Sequence, residues 1–330
     1  MYNFTQFGQM IQDQVRMEAN YQALKRAVRP GSVVVDIGAG TGIFSFLACQ
    51  FGAARVYAID PSEWIGLGKQ MAEANGYADR IVFIKDYSNR VTLPEQADVV
   101  ISDLRATHPI VPGSIYAMAD ARRRFLKPGG ILIPQRDVVY AALIAAPELY
   151  RQRVTQVWTE PVYGLDLSAS LRFAVNTIQS ANPVDAHLIR FPGQVWTEID
   201  YRTREDANAS AKLEWTAIEA TVVHFVLLWF DAHLLDEIGF TTAPADPGRA
   251  HVYGYDLLPL ERPLEVEAGD QITLELRAKE VAGGDHIFSW NTSVKSAQGT
   301  IKAAYRQSTF FGSMLSNLRS QLSSKSDPKE

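Results

Sequence analysis

Hydrophobic and polar positions divide the chain into two regimes. Through about residue 134, apolar β-branched runs alternate with stretches of helical period, and beyond it short alternating segments follow one another. Residues 4–28 place Met10, Ile11, Val15, Tyr21, Leu24 and Val28 among polar neighbours, which predicts one or two amphipathic helices ended by Arg29-Pro30-Gly31. The run V-V-V-D-I at 33–37 reads as a buried strand. The glycine-rich G-A-G-T-G at 38–42 then turns the chain into an apolar helical run at 43–51. Residues 54–59, 81–84 and 97–101 read as further strands, with 63–75 and 114–125 as helices. Lys127-Pro128-Gly129-Gly130 reads as a turn into a strand at 131–134. Strands alternating with helices predict a mostly parallel α/β sheet, with ligands beyond the carboxyl ends of its strands. Asp36, Asp60, Asp86 and Asp103 all fall at such ends.

In the second regime, residues 137–145, 194–201, 213–220, 222–230, 250–258, 271–277 and 286–294 are extended or alternating. Short strands in succession predict an antiparallel β-barrel or sandwich. Residues 163–179, apolar at Leu165, Leu167, Leu171, Phe173 and Val175, read as a projecting helical insertion. The tail from Ser313 is expected to hold one helix and then dissolve into flexible Ser/Lys-rich sequence.

The glycine turn discriminates between two ligand classes. A dinucleotide fingerprint is G-x-G-x-x-G, whereas the spacing here is G-x-G-x-G, with Ile43 where the third dinucleotide glycine would stand. Asp36 sets a carboxylate just before the loop, which would repel a pyrophosphate and attract a sulfonium and an ammonium. S-adenosylmethionine (SAM) carries both cations, so Asp36, Gly38 and Gly40 read as part of a SAM site. Asp60, about 20 residues past the turn, is placed to accept hydrogen bonds from ribose hydroxyls. Asp86 and Asn89 are alternative acceptors for an adenine amino group, and the sequence does not decide between them.

Composition narrows the classes further. Among 330 residues, 32 basic against 37 acidic side chains give a net charge of −5, which argues against a general nucleic-acid or anionic-membrane binder. The single cysteine, Cys49, excludes an intrachain disulfide and reads as core packing. No signal peptide is recognisable and no apolar run approaches the ~20 residues of a membrane span, so a cytoplasmic location is expected. The histidines are scattered without ligand spacing, so no metal is expected.

The order of helical lead-in, SAM-type domain and β-barrel with an inserted arm resembles the protein arginine methyltransferases over nearly the whole chain. D-I-G-A-G-T-G-I at 36–43 is close to the family's glycine motif. More specific is M-I-Q-D-Q-V-R at 10–16, similar to the lead-in helix M-L-x-D-x-x-R. Y-G-L-D at 163–166 looks like the start of the dimerisation arm, and L-W-F-D at 228–231 and G-F-T-T at 239–242 look like barrel signatures. A-H-V at 250–252 stands where the family has Thr-His-Trp. The resemblance implies a Rossmann-like class I methyltransferase domain followed by an antiparallel β-barrel domain. It places lead-in helices at about 1–30, the SAM domain at 31–136 and the barrel domain at 137–330, with an arm near 160–185. It also implies that Arg16 holds the carboxylate of SAM, that the product is S-adenosylhomocysteine (SAH), and that the chain forms a homodimer through the arm.

The catalytic loop departs from the family. The family clamps a guanidinium with two glutamates, but the loop S-D-L-R-A-T-H-P-I-V-P-G at 102–113 has Asp103 for the first and Pro112 or Gly113 near the second. Arg105 adds a positive charge that a guanidinium would avoid, and a bidentate clamp relies on fixed acceptors. The expectation drawn from the loop is methyl transfer to an N or O nucleophile of a small metabolite or peptide rather than to a typical protein arginine. Asp103 and His251 are the candidates for orienting or deprotonating the acceptor, with His108 behind them and Arg105 pairing an acceptor anion. Two alternatives stand beside it: arginine or guanidino N-methylation with a modified clamp, and a catalytically inactive SAM-binding scaffold.

Overall fold

The computed structural model describes residues 3–281 and 285–312. The chain opens with α1 (Phe4–Gln12) and α2 (Gln14–Ala27), then β1 (Val33–Ile37), α3 (Ile43–Gln50), β2 (Arg55–Ile59), α4 (Ile65–Ala74), β3 (Ile81–Ile84), β4 (Ala97–Ser102), α5 (Pro112–Arg124) and β5 (Leu126–Ile133). The lead-in breaks into two helices because Asp13 leaves helical geometry and caps the second. Its backbone is extended, and its side chain accepts the Arg16 N–H. Two compact units form, one from the described residues of Met1–Val139, Thr197–Ala207 and Trp229–Gly254, the other from those of Tyr140–Trp196, Asn208–Leu228 and Tyr255–Glu330.

In the first unit five strands pair in the order β3-β2-β1-β4-β5, all parallel. β1 lies at the centre and is buried along its whole length, as a strand covered on both faces must be. Val34, Val35, Val99, Val100 and Ile101 are fully or almost fully shielded and form its core with Leu24, Ile115 and Phe125. At about 25 cal/mol per Å² of apolar surface, each such side chain contributes on the order of 1.5–3 kcal/mol to burial.

The expected turn at Lys127–Gly130 is instead absorbed into β5. Pairing with β4 jumps from Ala97↔Leu126 to Val99↔Ile131, so Gly129 with its positive φ of 76° forms an irregularity inside the strand.

After β5 come β6 (Arg136–Ile144), β7 (Gln179–Ala181), β8 (Ile189–Asp200), β9 (Ala209–Thr216), β10 (Thr221–Leu235), β11 (Ile238–Thr241), β12 (Tyr255–Val266), β13 (Gln271–Glu280), β14 (His286–Lys295) and β15 (Ile301–Ser308). A six-stranded sheet runs β7-β12-β10-β6-β8 with β11 paired to β10, and a four-stranded sheet runs β15-β14-β13-β9. The pairs within the second sheet are antiparallel. Its strands alternate with period two: Ile272, Leu274, Leu276 and Ala278 of β13, and Phe288, Trp290, Thr292 and Val294 of β14, point to the buried side. Trp290, fully buried, donates its indole N–H to the Pro259 carbonyl at 2.9 Å.

The insertion at 163–179 is not one helix. Tyr163 and Gly164 adopt positive φ in a tight turn closed by the Val162↔Leu165 bridge, and only single turns, Ser168–Ser170 and Leu171–Ala174, precede β7. The expected helix after Ser313 lies outside the described residues. Among the described residues no helix is long and apolar enough to cross a membrane.

Candidate active site

The site grows out of the carboxyl end of β1. Gly38, Gly40 and Gly42 have φ of 74°, 54° and 90°, a region costly for residues with a Cβ. A Cβ on Gly38 would also lie 2.3 Å from Leu104 Cδ2, and one on Gly40 would lie 2.5 Å from Phe7 Cε1. Absence of side chains thus lets the turn close under α1 on one side and under the 102–113 loop on the other. The Gly40 N–H donates to Asp60 Oδ2 at 2.9 Å and the Ser62 N–H to Asp60 Oδ1 at 2.8 Å, which ties the end of β2 to the turn.

Beside this turn lies a cavity of about 810 Å³. Its wall includes Arg16, Gly38, Asp60, Asp86, Asn89 and Asp103, with the rings of Phe7 and Trp64 among the apolar members. The structure therefore gathers these six sequence-assigned residues in one cavity wall. Asp36 and Gly40 are not part of it. Asp36 is 1% exposed, and its Oδ2 accepts from the Ser45 hydroxyl at 2.7 Å. Burial pushes the Asp36 carboxyl up to about 7, against the Ser45 hydrogen bond.

A buried ionic network backs the wall. Asp103 Oδ2 accepts from Arg16 Nε at 2.6 Å, and Asp103 Oδ1 accepts from Arg105 Nη1 at 2.8 Å. The Tyr253 hydroxyl donates to the same carboxylate at 2.8–2.9 Å. Arg105 turns its Nε and Nη2 to Asp137 in a bidentate pair, both at 2.9 Å, and the Tyr201 hydroxyl donates to Asp137 Oδ2 at 2.8 Å. The Arg105 guanidinium carbon also lies 5.9 Å from the Phe230 ring and 5.7 Å from the Phe240 ring. Burial alone would raise the Asp103 carboxyl, but Arg16 and then Arg105 outweigh it and hold it at about 2. For Tyr253, burial and then the Asp103 charge push the phenol well above its usual range. Asp103 is therefore a fixed anion and a feeble base near neutrality.

The remaining candidates lie elsewhere in the first unit. Arg105 sits behind Asp103 and does not line the cavity. Asp13 Oδ2 accepts the backbone N–H groups of His251 at 2.6 Å and Val252 at 2.9 Å, but the His251 side chain is exposed and outside the cavity wall. His108 also lies off the wall, its Nδ1 accepting the Ile110 N–H at 3.1 Å. Sequence reading missed Tyr253, Asp137 and Tyr201. Tyr253 follows the A-H-V segment directly, which was the only local signal for any of the three.

Comparison with known proteins adds to this geometry. Residues 18–135 match the family Ribosomal protein L11 methyltransferase (PrmA), and residues 135–292 match the Arginine methyltransferase oligomerization subdomain. The chain is 31% identical to the probable protein arginine N-methyltransferase 6 of Arabidopsis thaliana, across 68% of this chain and 53% of that protein. It is 33% identical to the probable histone-arginine methyltransferase CARM1 of Oryza sativa subsp. indica, across 80% of this chain and 52% of that protein. The chain thus spans about half the length of these curated relatives. Against protein arginine N-methyltransferase 1 of Schizosaccharomyces pombe it is 29% identical, covering 83% of this chain and 82% of that one. In structure it resembles the Trypanosoma brucei PRMT1 enzyme-prozyme heterotetrameric complex with AdoHcy, with a TM-score of 0.82 at 22% identity over 93% of this chain and 98% of that chain. These relatives overturn the expectation of a small-metabolite acceptor, because they are named for arginine in proteins and histones. That expectation weighed the lost second glutamate of one loop above similarity along the rest of the chain. In sequence and in fold, the chain is protein arginine methyltransferase-like.

Proposed function

We propose that the chain is a SAM-dependent methyltransferase acting on arginine in proteins or peptides. The observation that carries this reading is the placement of Arg16 and Asp103 in the same cavity wall as Gly38 and Asp60, in a chain whose relatives are named for arginine methyl transfer. When bound, SAM supplies a methyl group on a sulfonium for in-line displacement, a reaction in which positioning provides much of the rate.

The donor set fits that cofactor. Arg16 uses Nε and Nη1 toward Asp103, Tyr253, Met10 and Met17, which leaves Nη2 for a carboxylate. Asp60, with one lone pair of each oxygen given to backbone N–H groups, retains acceptor capacity for ribose hydroxyls. Asp86 or Asn89 takes the adenine amino group. The glycine turn allows close approach, and Asp36 lies buried behind it. On the acceptor side Asp103 orients the nucleophile and does not deprotonate it, since its carboxyl is held so low. We assign no proton transfer to His251 or His108.

Homodimerisation through the inserted arm belongs to the same reading. Tyr163 and Leu165 are 99% and 62% exposed there, an apolar pair that a partner would cover. The antiparallel strands after β5 correspond on this reading to the substrate-domain barrel.

Calorimetry with SAM and incubation of the protein with labelled SAM and an arginine–glycine-rich peptide test the proposal. SAM binding and methylarginine after acid hydrolysis are expected. SAM binding without methylarginine in any arginine-bearing peptide would overturn the arginine assignment, and absence of SAM binding would overturn the whole reading.

A further inference from the structure

We infer that Arg105 is a specificity-determining positioning residue: reaching Asp103 from behind the cavity wall, it neutralises the acid offered to the acceptor and weakens the site's hold on a guanidinium. The inference rests on the proposed arginine reading and concerns how strongly that acceptor is bound.

Asp103 is the sole acid between Ser102 and Gly113. A carboxylate has about four lone-pair positions, and three donors from Arg16, Arg105 and Tyr253 already converge on this one. Each of its oxygens already faces a resident guanidinium, at 2.6 and 2.8 Å. A guanidinium acceptor gains most from a bidentate fork onto two free oxygens of an anion, and Asp103 does not present one.

Charge leads to the same result. Arg16 and Arg105 balance Asp103 and Asp137, and all four side chains are nearly or fully shielded from solvent. The Arg105 cation lies 2.8 Å from Asp103 Oδ1, so a third guanidinium approaching that oxygen meets a resident positive charge already paired with it. Arg105 itself is fixed by the bidentate Asp137 pair and flanked by Phe230 and Phe240, so it cannot swing aside cheaply. The Arg105 contact with Asp103 is thus built into the fold and does not depend on what enters the cavity.

The test uses the full chain loaded with SAH and two peptides differing only in arginine or citrulline, its neutral counterpart, with affinities read by calorimetry. For the unmodified protein, less than a threefold preference for arginine is expected. Arg105→Gln with Asp137→Asn removes one cation and one anion while keeping hydrogen-bonding groups, and leaves Asp103 with a single resident cation. In that variant the arginine peptide is expected to bind at least tenfold tighter and the citrulline peptide unchanged, with SAH affinity held within about twofold. Arg105→Lys, which restores the cation, is expected to return the weak preference. A tenfold or greater preference for arginine in the unmodified protein would overturn the inference without any variant. So would an unchanged arginine affinity in the double variant, or no arginine-peptide binding by either protein. Methyl transfer by the unmodified protein is scored separately, so failure of the arginine reading is distinguished from failure of the Arg105 role.

Discussion

Asp137→Ala removes the deepest member of the ionic quartet, and the cost can be worked from its contacts. The side chain is fully buried, and it accepts two N–H groups of Arg105 at 2.9 Å and the Tyr201 hydroxyl at 2.8 Å. Truncation takes away the acceptors of Arg105 Nε and Nη2 and of the Tyr201 hydroxyl in a site water cannot readily reach. Breaking a buried pair on one side typically costs about 3–5 kcal/mol, because a charge is left uncompensated. Arg105 keeps its Nη1 bond to Asp103, which places the expected loss toward the lower end, about 3 kcal/mol. Urea unfolding followed by tryptophan fluorescence measures it, and a fall in Tm of roughly 4 °C should accompany it. The Arg105→Gln/Asp137→Asn pair, which removes both charges together, is expected to lose only about 1 kcal/mol, because replacing a buried pair as a unit is far milder than splitting it. If Asp137→Ala lost less than about 1 kcal/mol, the quartet would not be the buried, mutually dependent unit described above.

Two further outcomes follow from the same site. Asp36 is held near 7 in the folded chain against an ordinary value of 3.8, so folding favours its protonated form; stability from this group is fullest below about pH 4 and is lost as pH rises through 7. Asp36→Asn should flatten that decline by up to roughly 4 kcal/mol between pH 4 and 8, and parallel unfolding curves for the two proteins across this range would refute it. Gly113 lines the cavity at the second position of α5, and a Cβ there meets nothing within 4 Å. Gly113→Glu is therefore expected to fold without loss, since an acid near a helix N-terminus is favoured by about 0.3–1 kcal/mol. It should also lower the KM for an arginine peptide severalfold. An unchanged KM with SAM binding intact would show that a second acid here does not reach the acceptor.

Legibility in the sequence followed the range of the interactions. The glycine turn, Asp60 and the parallel order could be read because their physics is local: a valine strand, three glycines and an acid one strand later fix a β–turn–α unit almost by themselves. The arm at 163–179 reads as a helical insertion, and in the fold its helical part is short. Its apolar spacing looked helical, but Tyr163-Gly164 at positive φ begins a turn, and the residues after it make only single helical turns. Lys127–Gly130 departs from its reading in the opposite sense, because β4 supplies pairing partners on either side of the glycines and carries them as an irregularity. The ionic quartet was largely illegible: its members come from residues 16, 103, 105 and 137, with phenols from 201 and 253, and no periodicity links them.

That division explains why Arg105 was noticed in the sequence and yet given the wrong surroundings. Read along the chain, an arginine two residues after the loop acid looks like a cation offered to the ligand, and it suggests an anionic acceptor. In the fold its guanidinium lies behind the cavity wall, bonded to Asp137 and to the inner side of Asp103. Its charge is then spent on neutralising protein carboxylates and offers nothing to an acceptor anion. The residue that made an arginine substrate look excluded is thus compatible with one, because it alters the strength of Asp103 and not the sign of a charge in the pocket. Asp103 remains the one acid of its loop in the cavity wall. Its low proton affinity, set by Arg16 and Arg105, makes it suited to holding an acceptor in line and poorly suited to removing a proton from it.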